Sequence, residues 1–151
     1  MILAEGQHSP FQNLLPREPH SLGMQIQVAR WLRDKKIPFE EQSDHLVVQL
    51  GFSAVAVFCY RVMLPSRSCV CITFQAYILG PVGAGFLEDE EINELNRNLM
   101  AGKLLRLQEE QVLLADHFLA EGLSEDVFLR RLDLFRRGIH FIDNRIARRL
   151  S

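Results

Sequence analysis

The hydrophobic period of this chain switches from helical to alternating and back, twice, and that order limits the folds open to it. Leu22, Ile26, Ala29 and Leu32 recur at helical spacing, with Val28 and Trp31 widening the stripe. Ser21 stands where an N-cap belongs, and Pro38 predicts a helix end by about Lys36, because a residue before proline avoids the α region. The period then becomes two. Leu46–Leu50, Ala54–Leu64 and Cys69–Leu79 read as three strands, the last two joined by the Pro65-Ser66-Arg67-Ser68 turn. Both faces of those last two runs are largely apolar, which predicts a sheet covered by helices on at least one face.

A helical stripe returns at Ile92, Leu95, Leu99 and Met100, opened by Glu88-Asp89-Glu90-Glu91 and stopped by Gly102. Acidic residues suit a helix N-terminus, where the macrodipole is positive. Lys103–Leu107 and Val112–Leu119 predict a hairpin through Gln108-Glu109-Glu110-Gln111. The last segment, Ser124–Leu150, carries the strongest signal. Phe128, Leu132, Phe135, Ile139, Ile142 and Ile146 step by 4, 3, 4, 3 and 4, with Glu125 and Asp126 at the start and Arg145, Arg148 and Arg149 at the end. Such a helix is about 40 Å long, and Gly138 is the place for a bend. The fold class is therefore α+β: helix, three antiparallel strands, helix, two strands, long helix.

A chain of 151 residues fits one domain by size. Residues 1–20, with Pro10, Pro16 and Pro19 and no period, read as a flexible N-terminal arm, and 21–151 as the single domain. Met1-Ile2-Leu3-Ala4-Glu5-Gly6 lacks a basic region followed by an apolar core, so no signal peptide is expected. The apolar window from Val55 to Leu79 is broken by Arg61, Pro65, Arg67 and Gln75, which predicts a hairpin and no membrane span. Cys59, Cys69 and Cys71 are an odd count in an apolar stretch, a pattern of buried thiols in a reducing cytoplasm.

Little in the sequence points to chemistry. Cys69 and Cys71 share a strand face, but no histidine lies near them in sequence, so no metal site is predicted. His8, His20, His45, His117 and His140 form no ligand spacing with one another, and Asp116 and His117 point to opposite faces of a strand. The run Gly80-Pro81-Val82-Gly83-Ala84-Gly85 lacks the Lys-Ser/Thr ending of a phosphate loop and precedes an acidic run, so it reads as a connector. No cofactor is implied, no catalytic residue is assigned, and the chain is expected not to be an enzyme.

Charge is unevenly placed. The formal net charge is −2. Residues 123–151 hold seven arginines against four acids, whereas residues 84–122 hold nine acids against three bases. Arg130, Arg131, Arg137, Arg145, Arg148 and Arg149 make a candidate basic patch for an acidic protein, a nucleic acid or a second copy. No aromatic residues interleave with them on the polar face, which counts against single-strand binding. The apolar residues Phe128, Leu132, Phe135, Ile139, Ile142 and Ile146 are the candidate interface.

Element order and three stretches resemble the YbjN-like family of bacterial proteins, some of which carry the label of sensory transduction regulator. The first stretch runs from Val28-Ala29-Arg30-Trp31-Leu32 through Ile37-Pro38-Phe39-Glu40 to Leu46-Val47-Val48; the second is Ile92-Asn93-Glu94-Leu95-Asn96; the third is the hairpin with Leu119-Ala120-Glu121-Gly122-Leu123-Ser124 and the closing helix. The resemblance covers Ser21 to Leu150 and implies the fold of type III secretion chaperones. Proteins of that fold commonly form homodimers and bind extended client segments, so the resemblance implies a homodimer and an unknown protein partner. The expected function is a non-enzymatic protein-binding module, chaperone-like or regulatory, docking a partner segment on its sheet and helices. The alternative is a nucleic-acid-associated regulator using the Arg-rich C-terminal helix.

Overall fold

A computed structural model describes residues 20–78, 87–108 and 111–150. The elements run α1 (Leu22–Asp34), β1 (Phe39–Glu41), β2 (Leu46–Leu50), β3 (Ser53–Met63), β4 (Ser68–Ile78), α2 (Asp89–Asn98), β5 (Lys103–Gln108), β6 (Gln111–Leu119) and α3 (Glu125–Leu150). The strands form one sheet in the order β1-β2-β3-β4-β6-β5. The predicted α+β class and element order are those observed, with one addition. The Phe39-Glu40-Glu41 step is itself a short strand, paired antiparallel to Leu46–Val48. Three residues are too few to show a period of two, so that strand left no sequence signal. The expected N-terminal arm, apart from His20, and the Gly80–Gly85 connector lie outside the described residues.

The chain groups into two compact units, and β4 and β6 each contribute to both. One comprises the residues through Thr73 with His117–Glu125; the other comprises Phe74–Asp116 with the chain from Asp126 onward.

In the first unit, α1 begins where the Ser21 amide donates to the Cys59 carbonyl (2.9 Å) and His20 makes an antiparallel bridge to Tyr60. The buried face of α1 is Gln25, Val28, Ala29, Trp31 and Leu32. The predicted stripe is thus rotated: Leu22 and Ile26 are 60% and 51% exposed, and Gln25 takes their place inside. Gln25 can be buried because its amide is used. Its oxygen accepts from His20 Nε2 at 2.6 Å and its nitrogen donates to the Gln42 carbonyl at 3.4 Å.

The end of α1 is a Schellman turn. The Ile37 amide donates to the Leu32 carbonyl (2.9 Å) and the Lys36 amide to that of Arg33 (3.0 Å). This places Lys36 at φ 57°, the one non-glycine with positive φ among the described residues. A left-handed L-residue costs about 1–2 kcal/mol. Lys36→Gly removes that cost but adds unfolded-state entropy. We expect a net gain of about 1 kcal/mol, seen as a Tm increase of about 2–4 °C for a chain of this size.

In the second unit, α3 packs its apolar stripe inward. Phe74 of β4 meets the rings of Phe128 and Phe135 edge-on at 5.6 and 5.5 Å. Gly138 is buried, and an added Cβ would lie 3.6 Å from both Leu114 Cδ2 and Leu99 Cδ2, ordinary van der Waals contact. The small residue therefore sits where α3 approaches β6 closely. α2 buries only Ile92 and Leu95, while Leu99 is half-buried and Met100, predicted to be inside, is exposed. The reason is that α2 ends at Asn98, so Met100 no longer follows helical spacing. Gly102 then turns the chain into β5 at φ 82°, where a Cβ would stand 3.0 Å from the Ala115 carbonyl.

All six residues of the candidate interface are buried within the chain: Phe128, Leu132, Phe135, Ile139, Ile142 and Ile146. The stripe forms core, with only Ile146 reaching the edge of a cleft, a correction to the expectation that it serves as an interface. A charge placed there has no water and no counter-ion. Ile142→Arg is expected to remove about 4 kcal/mol or more of stability. A circular-dichroism melt checks this, and a variant with wild-type Tm contradicts the packing.

Candidate functional site

With the α3 stripe spent on the core, the candidate surface of the second unit is that around α2 and β5. β5 ends the strand order, so its outer edge carries backbone groups that β6 does not pair. Asn96 of α2 closes part of that edge. Its Oδ1 accepts from the Leu104 amide at 2.7 Å, and its Nδ2 donates to the Leu104 carbonyl at 3.2 Å. One side-chain amide thus imitates a neighbouring strand, a protection against unwanted pairing. Lys103 Nζ reaches the Asn96 carbonyl at 2.9 Å. Arg106 Nε donates to Asp89 Oδ1 at 3.2 Å, and its Nη2 donates to the Leu87 carbonyl. The start and the end of α2 are both fastened to β5.

Side chains of β5 alternate between faces. Leu104 is buried opposite Leu114, which approaches α3 at Gly138. Leu105 points the other way and is 46% exposed; Leu107, 38% exposed, stands where the β5–β6 register shifts between Arg106 and Gln108. With Met100 they give three exposed apolar side chains within eight residues.

Beside α2 lies a cleft of about 300 Å³. Leu87, Leu95 and Ile146 form its apolar surface, Glu91 and Glu94 come from α2, and Arg145 and Arg148 come from the end of α3. Arg145 lies over the Phe141 ring at 5.7 Å, which fixes the direction of its guanidinium.

The basic patch is divided by its partners. Arg131 stands 3.7 Å from Asp116, Arg137 Nε is 2.9 Å from Asp133, and Arg136 also binds Asp133 at 2.7 Å. Arg136 and then Arg137 hold the Asp133 carboxyl below its ordinary range. Arg130 is exposed. Arg145 and Arg148 belong to the cleft, and the Arg149 side chain lies outside the described residues. Of these arginines, Arg131 and Arg137 thus stand beside acids of their own unit, Arg130 is exposed, and Arg145 and Arg148 line the cleft.

Among the described residues no group of three or more His, Cys, Asp or Glu converges as a metal site. Burial raises the Cys59 thiol to about 12, which leaves it protonated and inert at neutral pH. No helix among the described residues is long and apolar enough to cross a membrane. Asp116 and His117 do point apart, as read from the sequence. Asp116 turns to Arg131, and His117 Nδ1 lies 2.8 Å from Thr73 Oγ1, itself 2.8 Å from Tyr60 OH.

Two solved structures share this fold. An uncharacterized protein from Methanothermobacter thermautotrophicus aligns with TM-score 0.58 and 16% identity, over 84% of this chain and 99% of that chain. YbjN from E. coli, described as "a putative transcription regulator", aligns with TM-score 0.55 and 14% identity, over 78% of this chain and 86% of that chain. No family model matches the sequence, and no curated protein matches it. At these identities the likeness is one of fold, and it is the YbjN-like fold that the sequence resemblance implied.

One buried group stands apart from these surfaces. His45 is 1% exposed and stacks on Phe58, with ring centroids 4.7 Å apart. Its Nδ1–H donates to Asp44 Oδ1 at 2.7 Å, and its Nε2 is buried with no partner among the described residues. Burial lowers its proton affinity below the ordinary 6.5, against the opposing pull of Asp44. The unfolded chain therefore binds a proton near pH 6.5 that the folded chain refuses until lower pH. Stability should fall as pH drops through 6.5 and level off below the folded value. Denaturant midpoints between pH 7.5 and 5 should show this slope, and His45→Gln should flatten it.

Proposed function

We propose that this protein is a non-enzymatic binding module, chaperone-like or regulatory, that docks an extended segment of a partner protein on the outward face of β5. The observation that carries this reading is the pair Leu105 and Leu107, exposed at i and i+2 on an edge strand. Two exposed apolar side chains so close together on an edge strand suit the apolar side chains of an extended peptide. Asn96 occupies the backbone of Leu104, so the partner approaches the sheet face and not the edge at that position. The other edge strand, β1, has three residues, two of them glutamates, and offers no comparable apolar row. The fold shared with YbjN supports a regulatory role. The homodimer and the cytoplasmic setting expected from the sequence belong to the same proposal.

Leu105→Lys/Leu107→Lys tests it, because both side chains are exposed and the fold should tolerate charge there. Tagged wild-type protein should retain a specific partner from host lysate after nuclease treatment. The double variant, with an unchanged melting curve, should lose that partner. Retention by the variant, or loss of all co-purifying material with nuclease, rejects the reading.

A further inference from the structure

The cleft between α2 and the end of α3 has a charge arrangement that the docking face does not use. α2 contributes acids, Glu91 and Glu94; α3 contributes bases, Arg145 and Arg148; Leu87, Leu95 and Ile146 complete the lining. Glu91 and Arg148 also take part in other contacts. Glu94 and Arg145 carry the argument. Both are exposed, and the Arg145 guanidinium is held over Phe141. A ligand that complements both sets of charges must bear a cation and an anion, with an apolar body. A phosphate-bearing ligand would meet Glu91 and Glu94, and a purely cationic one would meet the arginines. A volume of about 300 Å³ lies at the lower limit for small-molecule sites, too small for a dinucleotide cofactor.

We propose that this cleft binds a free apolar α-amino acid. The α-carboxylate pairs with the Arg145 guanidinium, the α-ammonium with the Glu94 carboxylate, and the side chain lies against Leu87, Leu95 and Ile146. The charge-assisted hydrogen bonds supply orientation, and the apolar surface selects leucine-like or phenylalanine-like side chains over polar ones.

Isothermal titration calorimetry on the full chain decides it, with L-leucine and L-phenylalanine as probes. N-acetyl-L-leucine and L-leucinamide each lack one of the two charges. We expect binding of at least one free amino acid and about tenfold or greater weakening for either blocked form. Glu94→Gln should weaken binding of the free amino acid and leave that of N-acetyl-L-leucine, which has no ammonium to pair with Glu94, unchanged. Arg145→Met should weaken it by a similar factor. Leu105→Lys/Leu107→Lys should bind the amino acid as the wild type does, which separates this site from the docking face. Absence of heat with both probes overturns the proposal. So does equal affinity for the free and blocked forms, or affinity unchanged in both cleft variants.

Discussion

Phe74 is the residue on which the second unit depends. Its ring meets Phe128 and Phe135 edge-on, two turns apart in the seam of α3, and so fastens the longest helix to the middle of β4. Edge-to-face aromatic pairs add about 0.5–1.5 kcal/mol each beyond the area they bury. More important is what this contact determines. With Phe128 and Phe135 against Phe74, the other four residues of the stripe must also face inward, because helical spacing keeps all six on one side. The strongest apolar signal in the sequence is consumed by the core, and recognition falls to smaller features elsewhere.

Those features were hard to read in advance for physical reasons. Helices and long strands announce themselves by repetition, so α1, α3 and the pairs β3–β4 and β5–β6 were legible. The buried face of α1 was not, because periodicity ranks Leu22 and Ile26 above a glutamine. Gln25 is inside only because His20 and the Gln42 carbonyl satisfy its amide, partners 5 and 17 residues away. His45 was legible as a histidine but not as a buried one with a bare nitrogen. The cleft joins α2 to residues over fifty positions later, a convergence without local signature. Of the predicted basic patch, Arg145 and Arg148 meet at the cleft, together with Glu91 and Glu94.

The polar groups of the first unit follow a similar logic. Thr73 is fully buried between two partners, Tyr60 and His117, at 2.8 Å each. Its single hydroxyl proton can be donated to one of them only, so at least one of the two must donate to it. Such a row across three adjacent strands fixes their register, since a one-residue slip would turn each side chain to the other face and leave buried polar atoms unpaired.

α2 links the two surfaces of the second unit. Only Ile92 and Leu95 are buried in it, a small apolar anchor for ten residues. The rest of its attachment is polar: Asn96 on the Leu104 backbone, and Asp89 with the Leu87 carbonyl on Arg106. The same helix supplies the acids of the cleft, and the same strand presents Leu105 and Leu107. A weakly buried helix held largely by polar contacts belongs to the low-stability end of a fold, where local adjustment costs least. A ligand in the cleft and a partner on β5 would thus act on one element from two sides. Any change that one makes in the affinity of the other must be returned in equal measure, because linkage between binding sites is reciprocal.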